Sequence, residues 1–157
     1  MDNEDSFILS RLARITPPNP VGSYERGVIH KSIGFISGQL PLRDGKMESV
    51  GRIGLELSRE QGIAAAVIAA KNVLAQINKL LGDSSFFDRL LKVDGYVASA
   101  NDFFDQAEIL DAASEYFVNN LGERGMHARS AIGVPCLPLN APIELVVTFS
   151  MKEQLIK

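Results

Sequence analysis

The chain has only one cysteine, Cys136, so it cannot close an internal disulfide or build a Cys-rich zinc cluster. A reducing compartment is the expected setting, and a cytoplasmic location the expectation. Histidine is almost as scarce. His30 and His127 are the only two, and neither has the clustered His, Cys or acidic neighbours that metal sites and nucleophilic triads require. Lysine and arginine form no cluster, and with a net charge of -3 and a pI near 5.4 the concentrated basic face of a nucleic-acid groove is missing. The longest strongly apolar run, IAAAVIAA (Ile63 to Ala70), is too short to span a bilayer. The acidic opening MDNEDS lacks the positive start of a secretory signal. Nucleic acid, membrane and metal are therefore not expected as partners.

What is present is ordinary globular material. The 157 residues are 46% hydrophobic and 22% charged, which suits one domain with one core. A chain of this size buries on the order of 70% of its unfolded surface, so it folds without staples. Phe7 to Ile15 has helical spacing before the breaker PPNP (Pro17 to Pro20), so residues 1–20 are read as an arm or short helix and residues 21–157 as the domain. Strands are expected at Tyr24 to His30 and Phe35 to Gln39, then a turn at RDGK and a weak extended segment from Met47 to Ile53.

Ser58 and Gln61 make a capping box, and Gly82 a left-handed stop, for a helix with an apolar stripe through Ile63, Ala66, Val67, Ala70, Leu74, Ile77 and Leu81. A central strand is expected around Leu91 to Val97, with Gly95 as a bulge. A second helix should open at Asn101 or Asp102 and run to Gly122, with Phe103, Ala107, Leu110, Ser114, Phe117 and Leu121 inward. Ala128 to Val134 and Ile143 to Met151 are the final strands. The order predicts an α+β fold: a mixed sheet with two helices on one face. The other face is left uncovered, and self-association is the economical way to bury it.

Few residues can carry chemistry. His30, near a strand end, has no ligand-spaced partner. His127 and Arg129 alternate onto the same face and could share a pocket wall, although a structural role for His127 is as good an account. Arg129 begins an apolar strand and needs an anion or solvent. A salt bridge within the fold and bidentate capture of a ligand carboxylate satisfy that need equally. Glu144 sits beside Ile143 at the start of another apolar strand. It could pair with Arg129, or it could move protons with a pKa raised in a partly dry pocket. Tyr24, after Gly22-Ser23, could supply a ring wall, and Ser37, Gly38 and Gln39 could supply backbone donors; ordinary strand packing accounts for these as well.

Three stretches carry a resemblance: FISGQLPLRDGKM, GRIGLELSREQGIAAAVIAAKNVLAQINKLLGD and HARSAIGVPCLPLNAPIE. Together they resemble the Rid family, the YjgF-type proteins also called reactive intermediate deaminases or "endoribonuclease L-PSP", over roughly Gly22 to Phe149. The resemblance implies a chorismate mutase-like fold assembled as a homotrimer, with ligand pockets at subunit interfaces. It assigns Arg129 of the ARS motif to a substrate carboxylate and Glu144 of the IE motif to water. The implied reaction converts 2-imino or 2-enamino acids to 2-keto acids and ammonia, with no metal or organic cofactor.

The chain also departs from the family pattern. Its second helix is longer and lacks an expected asparagine, with only Gln106 and Glu108 nearby. Ser23 replaces a common proline, Ala131 a cysteine and Val146 a second glutamate. These differences leave a non-catalytic trimer that binds small carboxylates as the alternative. A ribonuclease, suggested by the family label alone, is a distant third given the acidic pI.

Overall fold

Alternation along the last strand builds the core. In the computed structural model, which describes residues 16–20 and 22–152, Ile143, Leu145, Val147 and Phe149 are all buried, while Glu144, Val146, Thr148 and Ser150 turn to the opposite face. This strand, β7 (Ile143–Met151), is the middle of a five-stranded sheet. It pairs antiparallel with β2 (Ile33–Gln39) on one side and with β5 (Phe87–Ala98) on the other. The outer positions belong to β1 (Gly27–His30), antiparallel to β2, and β6 (Ala128–Val134), parallel to β5. The sheet is mixed, as expected, and both final strands have the predicted bounds. The expected helix over Phe7 to Ile15 lies outside the described residues.

The first hairpin differs at its ends. β1 begins at Gly27 rather than Tyr24, and β2 begins at Ile33, two residues before the expected Phe35. RDGK closes a small separate ribbon, β3 (Leu42–Arg43) with β4 (Lys46–Met47). Asp44 and Gly45 at its tip both have positive φ, 51° and 76°, as a tight hairpin turn requires. The extended segment expected over Met47 to Ile53 reduces to β4 and isolated bridges at Ile53.

Helix α1 (Arg59–Leu81) starts and stops where the local signals place it. The Ser58 hydroxyl accepts from the Gln61 N–H, the Gln61 carboxamide accepts from the Ser58 N–H, and Gly82 ends the helix at φ 70°. Ala65, Ala66, Ala69 and Ala70 are buried, and their short side chains let the backbone lie close to the sheet and to the second helix. Ile63 and Leu81, placed in the expected stripe, are only partly buried against this core. By length and composition α1 could cross a bilayer, but most of it is buried inside this domain, as a core helix should be.

The second helix, α2 (Gln106–Leu121), has its N-cap at Asp105, three or four residues later than expected. Asn101 and Asp102 form a turn instead. Asp105 holds the N-cap position without capping by its side chain, because its carboxylate pairs with Arg59 of α1. Ile109, Leu110, Ala113, Phe117 and Leu121 face inward. Gly95 is not a bulge. It pairs regularly with Leu145 and Ala131, and it is small because a Cβ there would lie 2.4 Å from Leu110 Cδ1. The bulges in β5 fall earlier, between Phe87 and Lys92.

Both helices cover one face of the sheet. On the other face Val28, Phe35 and Ile132 are 53%, 46% and 40% exposed, which leaves apolar surface uncovered in a single copy.

Candidate functional site

Glu144 and Arg129 are kept apart by strand parity. Arg129 is opposite Val93, which is opposite the buried Val147, so Arg129 shares the helix-covered face. Glu144 is opposite Tyr96, which is opposite Ile132, on the uncovered face. Within one protomer the two do not form the ion pair that the sequence allows. Arg129 pairs instead with Asp111 of α2, Nη2 to Oδ1 at 2.9 Å. Its Nη1 donates to Ser114 Oγ at 3.0 Å and its Nη2 to the Ala107 carbonyl at 3.2 Å.

His127 does share a surface with Arg129, through Ser114. Its Nδ1 lies 2.6 Å from the Gly125 carbonyl and its Nε2 lies 3.0 Å from Ser114 Oγ. A carbonyl only accepts, so Nδ1 carries the hydrogen and neutral Nε2 accepts from the serine hydroxyl. One chain of donors thus runs from Arg129 through Ser114 and His127 to Gly125. Burial pushes the His127 pKa down; the Gly125 hydrogen bond opposes that shift and the Arg129 charge adds to it.

The remaining predicted residues gather elsewhere. Tyr24, Gly38, Gln39 and Glu144 line a cavity of about 50 Å³ at one end of the sheet, together with Arg26 and Gln76. Ser37 is absent from its wall; its hydroxyl donates to the Glu25 carbonyl at 2.6 Å and steadies the approach to β1. The register shifts between Ile36 and Gln39, and this bulge presents Gly38 to Glu144. A Cβ on Gly38 would lie 1.8 Å from Glu144 Oε1, so only glycine lets the carboxylate lie across the backbone there. Among the described residues nothing donates a hydrogen bond to that carboxylate, and burial raises its pKa.

Sequence reasoning placed Ser114 on the inner face of the second helix without its partners, and missed Asp111, because only packing brings α2 against β6. It also missed Arg26 and Gln76. One signal for Gln76 was available: Asn72 and Gln76 are amides four residues apart among the apolar residues of this helix, and both are buried. Asn72 Nδ2 donates to the carbonyls of Leu40 and Leu42, each at 2.9 Å, fixing the chain beyond β2. Among the described residues no group of three or more His, Cys, Asp or Glu could hold a metal ion.

The fold agrees with comparisons to known proteins. Residues 11–152 match the family model described as "YjgF/chorismate mutase-like, putative endoribonuclease". Protein TCP17 of Trypanosoma cruzi is 36% identical over 111 residues, covering 70% of this chain and 69% of that protein. The crystal structure of Atu1372 from Agrobacterium tumefaciens, of unknown function, superposes with a TM-score of 0.84 at 33% identity, over 96% of this chain and 94% of the other. A Shewanella oneidensis protein described as "a putative endoribonuclease" superposes with a TM-score of 0.87 at 25% identity, over 94% and 99% of the two chains. The chain belongs to the YjgF/chorismate mutase-like family, the Rid proteins.

Proposed function

We propose that this protein hydrolyses small 2-imino or 2-enamino acids to 2-keto acids and ammonia, in a pocket shared between copies of a homotrimer. The observation that carries the reading is Glu144: an unbonded, partly buried carboxylate with a raised pKa, lying over Gly38 in a cavity that is large enough for a small ligand. A carboxyl poised closer to neutrality can take a proton from water as it attacks the C=N carbon, then pass it to the departing nitrogen, a role worth about 10²–10⁴-fold. The substrate is already electrophilic, so positioning and proton transfer supply most of what is needed.

In this reading Arg129 of one copy faces Glu144 of the next, since the two lie on opposite faces within one chain. Val28, Phe35 and Ile132 supply apolar surface for that assembly. Asp111 occupies Arg129, but its side chain is 58% exposed. The Arg129 side chain is 21% exposed, so the pair is partly shielded, and an incoming carboxylate displaces Asp111 by taking its place on the same guanidinium.

The test is ammonia and keto-acid release from a freshly generated imino acid. Wild type should exceed the spontaneous rate, while Glu144→Gln and Arg129→Ala should fall toward it. Equal rates with and without the protein would remove the proposal, and a monomeric native mass would remove the shared pocket. The Asp111–Arg129 pair also favours a second reading, a non-catalytic binder of small carboxylates. Carboxylate binding without turnover, weakened by Arg129→Ala, would select it.

A further inference from the structure

The hydrogen bonds around Ser114 run in one direction, and the Gly125 carbonyl sets it. The turn that carries this carbonyl, Gly122–Gly125, is pressed onto α2: a Cβ on Gly125 would lie 2.4 Å from the Phe117 carbonyl oxygen. The His127 ring meets the Phe117 ring edge-on, with centroids 5.7 Å apart. Backbone and ring together hold the imidazole where Nδ1–H donates to Gly125 and Nε2 is left to accept. Ser114 has a single hydroxyl hydrogen. It goes to Nε2 at 3.0 Å, and the serine oxygen accepts from Arg129 Nη1, also at 3.0 Å. A proton on Nε2 reverses this order. The ring then donates to the oxygen that already takes Arg129, the serine hydrogen loses its acceptor, and two cations share one hydroxyl.

We propose that His127 is a positioning residue for Arg129, acting through Ser114: the neutral ring holds the guanidinium on its own fold, and the protonated ring releases it to an incoming carboxylate. The proposal rests on the reading of Arg129 as a carboxylate clamp. Both consequences of protonation act in one direction, since a weakened Ser114 bond frees the guanidinium and the added positive charge attracts an anion. Linkage makes the effect reciprocal. An anion on Arg129 relieves part of the repulsion between the two cations and so favours the proton on His127. His127 lines an open depression with Arg89, Leu91, Met126 and Ala128, through which solvent supplies that proton. Charged groups approach the ring from each element around it. Helix α2 carries Asp111, which lies on Arg129, and the exposed Glu115. Strand β5 carries Arg89 and also Lys92, which is opposite Ala128 and paired with Asp94. The turn carries Glu123 and Arg124, the latter over the Phe87 ring. Beyond burial, the charge that disfavours the imidazolium is that of Arg129. In a shared pocket Glu144 of the next copy also faces Arg129 and takes up a proton on the acid side, so the test must separate the two.

The experiment is a proton NMR titration of the imidazole signals of the full chain, with and without formate, an unreactive carboxylate that stays ionised throughout. The chain has two histidines, so His127→Gln assigns the signal by its loss. Formate should move the His127 titration to higher pH and leave His30 in place. Formate should also bind about three- to tenfold more tightly at about pH 5 than at about pH 7.5, the range expected for two nearby charges in a partly wet site. Arg129→Gln and Ser114→Ala should each abolish the His127 shift, and Ser114→Thr, which keeps the hydroxyl, should retain it. Glu144→Gln should retain both the shift and the pH-dependent affinity. If Ser114→Ala fails to fold, the contrast between His127→Gln and Glu144→Gln decides. A His127 titration unmoved by tens of millimolar formate, a shift unchanged in Ser114→Ala, or a pH-dependent affinity that survives His127→Gln and vanishes in Glu144→Gln would overturn the proposal. Arg129-dependent turnover of an imino acid with an unmoved His127 titration would remove the relay and spare the hydrolytic reading. A formate-linked His127 shift without turnover would do the reverse.

Discussion

The two polar regions of this molecule differ in how far their hydrogen bonds are satisfied. Around Arg129 the groups answer one another: Asp111, Ser114 and the Ala107 carbonyl take up the guanidinium, and Ser114 hands on to His127 and Gly125. Around Glu144 they do not: among the described residues nothing donates a hydrogen bond to the carboxylate, and Arg26 Nη1 and Gln76 Oε1, on residues that line the same cavity, are buried without hydrogen-bond partners. A satisfied network stabilises the fold and gains little from a ligand. An unsatisfied one costs stability, and a ligand recovers that cost. The region expected from sequence to bind, at Arg129, is thus the better satisfied of the two, and the emptier one holds the acid.

The sharpest break in that comparison is Glu144→Gln. Imine hydrolysis should fall by about 10²–10⁴-fold, because the amide cannot relay a proton. Stability should move the other way. A carboxyl whose folded pKa is raised binds protons more tightly in the native state, so its contribution is greatest at acid pH and declines as pH rises above about 4.5 through the folded value. At neutral pH the variant should therefore melt higher than wild type in a thermal scan, and the gap should close below pH 4.5. A lower melting temperature at pH 7 would mean that the carboxylate is satisfied after all.

Next in size is Ser114→Ala. Two partners, Arg129 and His127, lose the group between them, and a cost of about 1–2 kcal/mol is expected in denaturant unfolding. A loss under about 0.3 kcal/mol would show that water replaces the hydroxyl freely and that this region is no better satisfied than the cavity.

A smaller effect comes from His127. Its folded pKa is lowered, so below the ordinary value of about 6.5 the unfolded chain takes up the proton more readily. Stability should be full above that pH and decline as pH falls through 6.5 toward the folded value. His127→Gln should flatten that part of the pH profile in thermal scans. The smallest effect is at Asp111→Asn, where loss of a partly exposed ion pair should change stability by under about 1 kcal/mol. Carboxylate affinity should rise severalfold if Arg129 is a ligand clamp, and stay unchanged if it is purely structural.

Local signals made most of the fold legible. The Ser58–Gln61 box and Gly82 bound α1 because a helix's orphan groups are satisfied by residues adjacent in sequence. Strict alternation bounded β7 because a half-buried strand has period two. The α2 start was misread because Asp105, the N-cap, is engaged by Arg59, and that ion pair spans 46 positions. Gly95 was misread for a similar reason: the Leu110 side chain that requires it comes from a different element.

The functional residues divide along the same line. Sequence by itself determined which types of side chain are present: one acid opening β7, one arginine early in β6, and a glycine-containing turn of strand before Gln39. Only tertiary structure decided their neighbours. Strand parity placed Arg129 and Glu144 on opposite faces, helix packing brought Asp111 and Ser114 to the arginine, and the β2 bulge cleared Gly38 for the carboxylate. The physical reason is that charge, size and periodicity belong to the chain, whereas satisfaction of a polar group depends on atoms within about 3 Å, which distant segments supply.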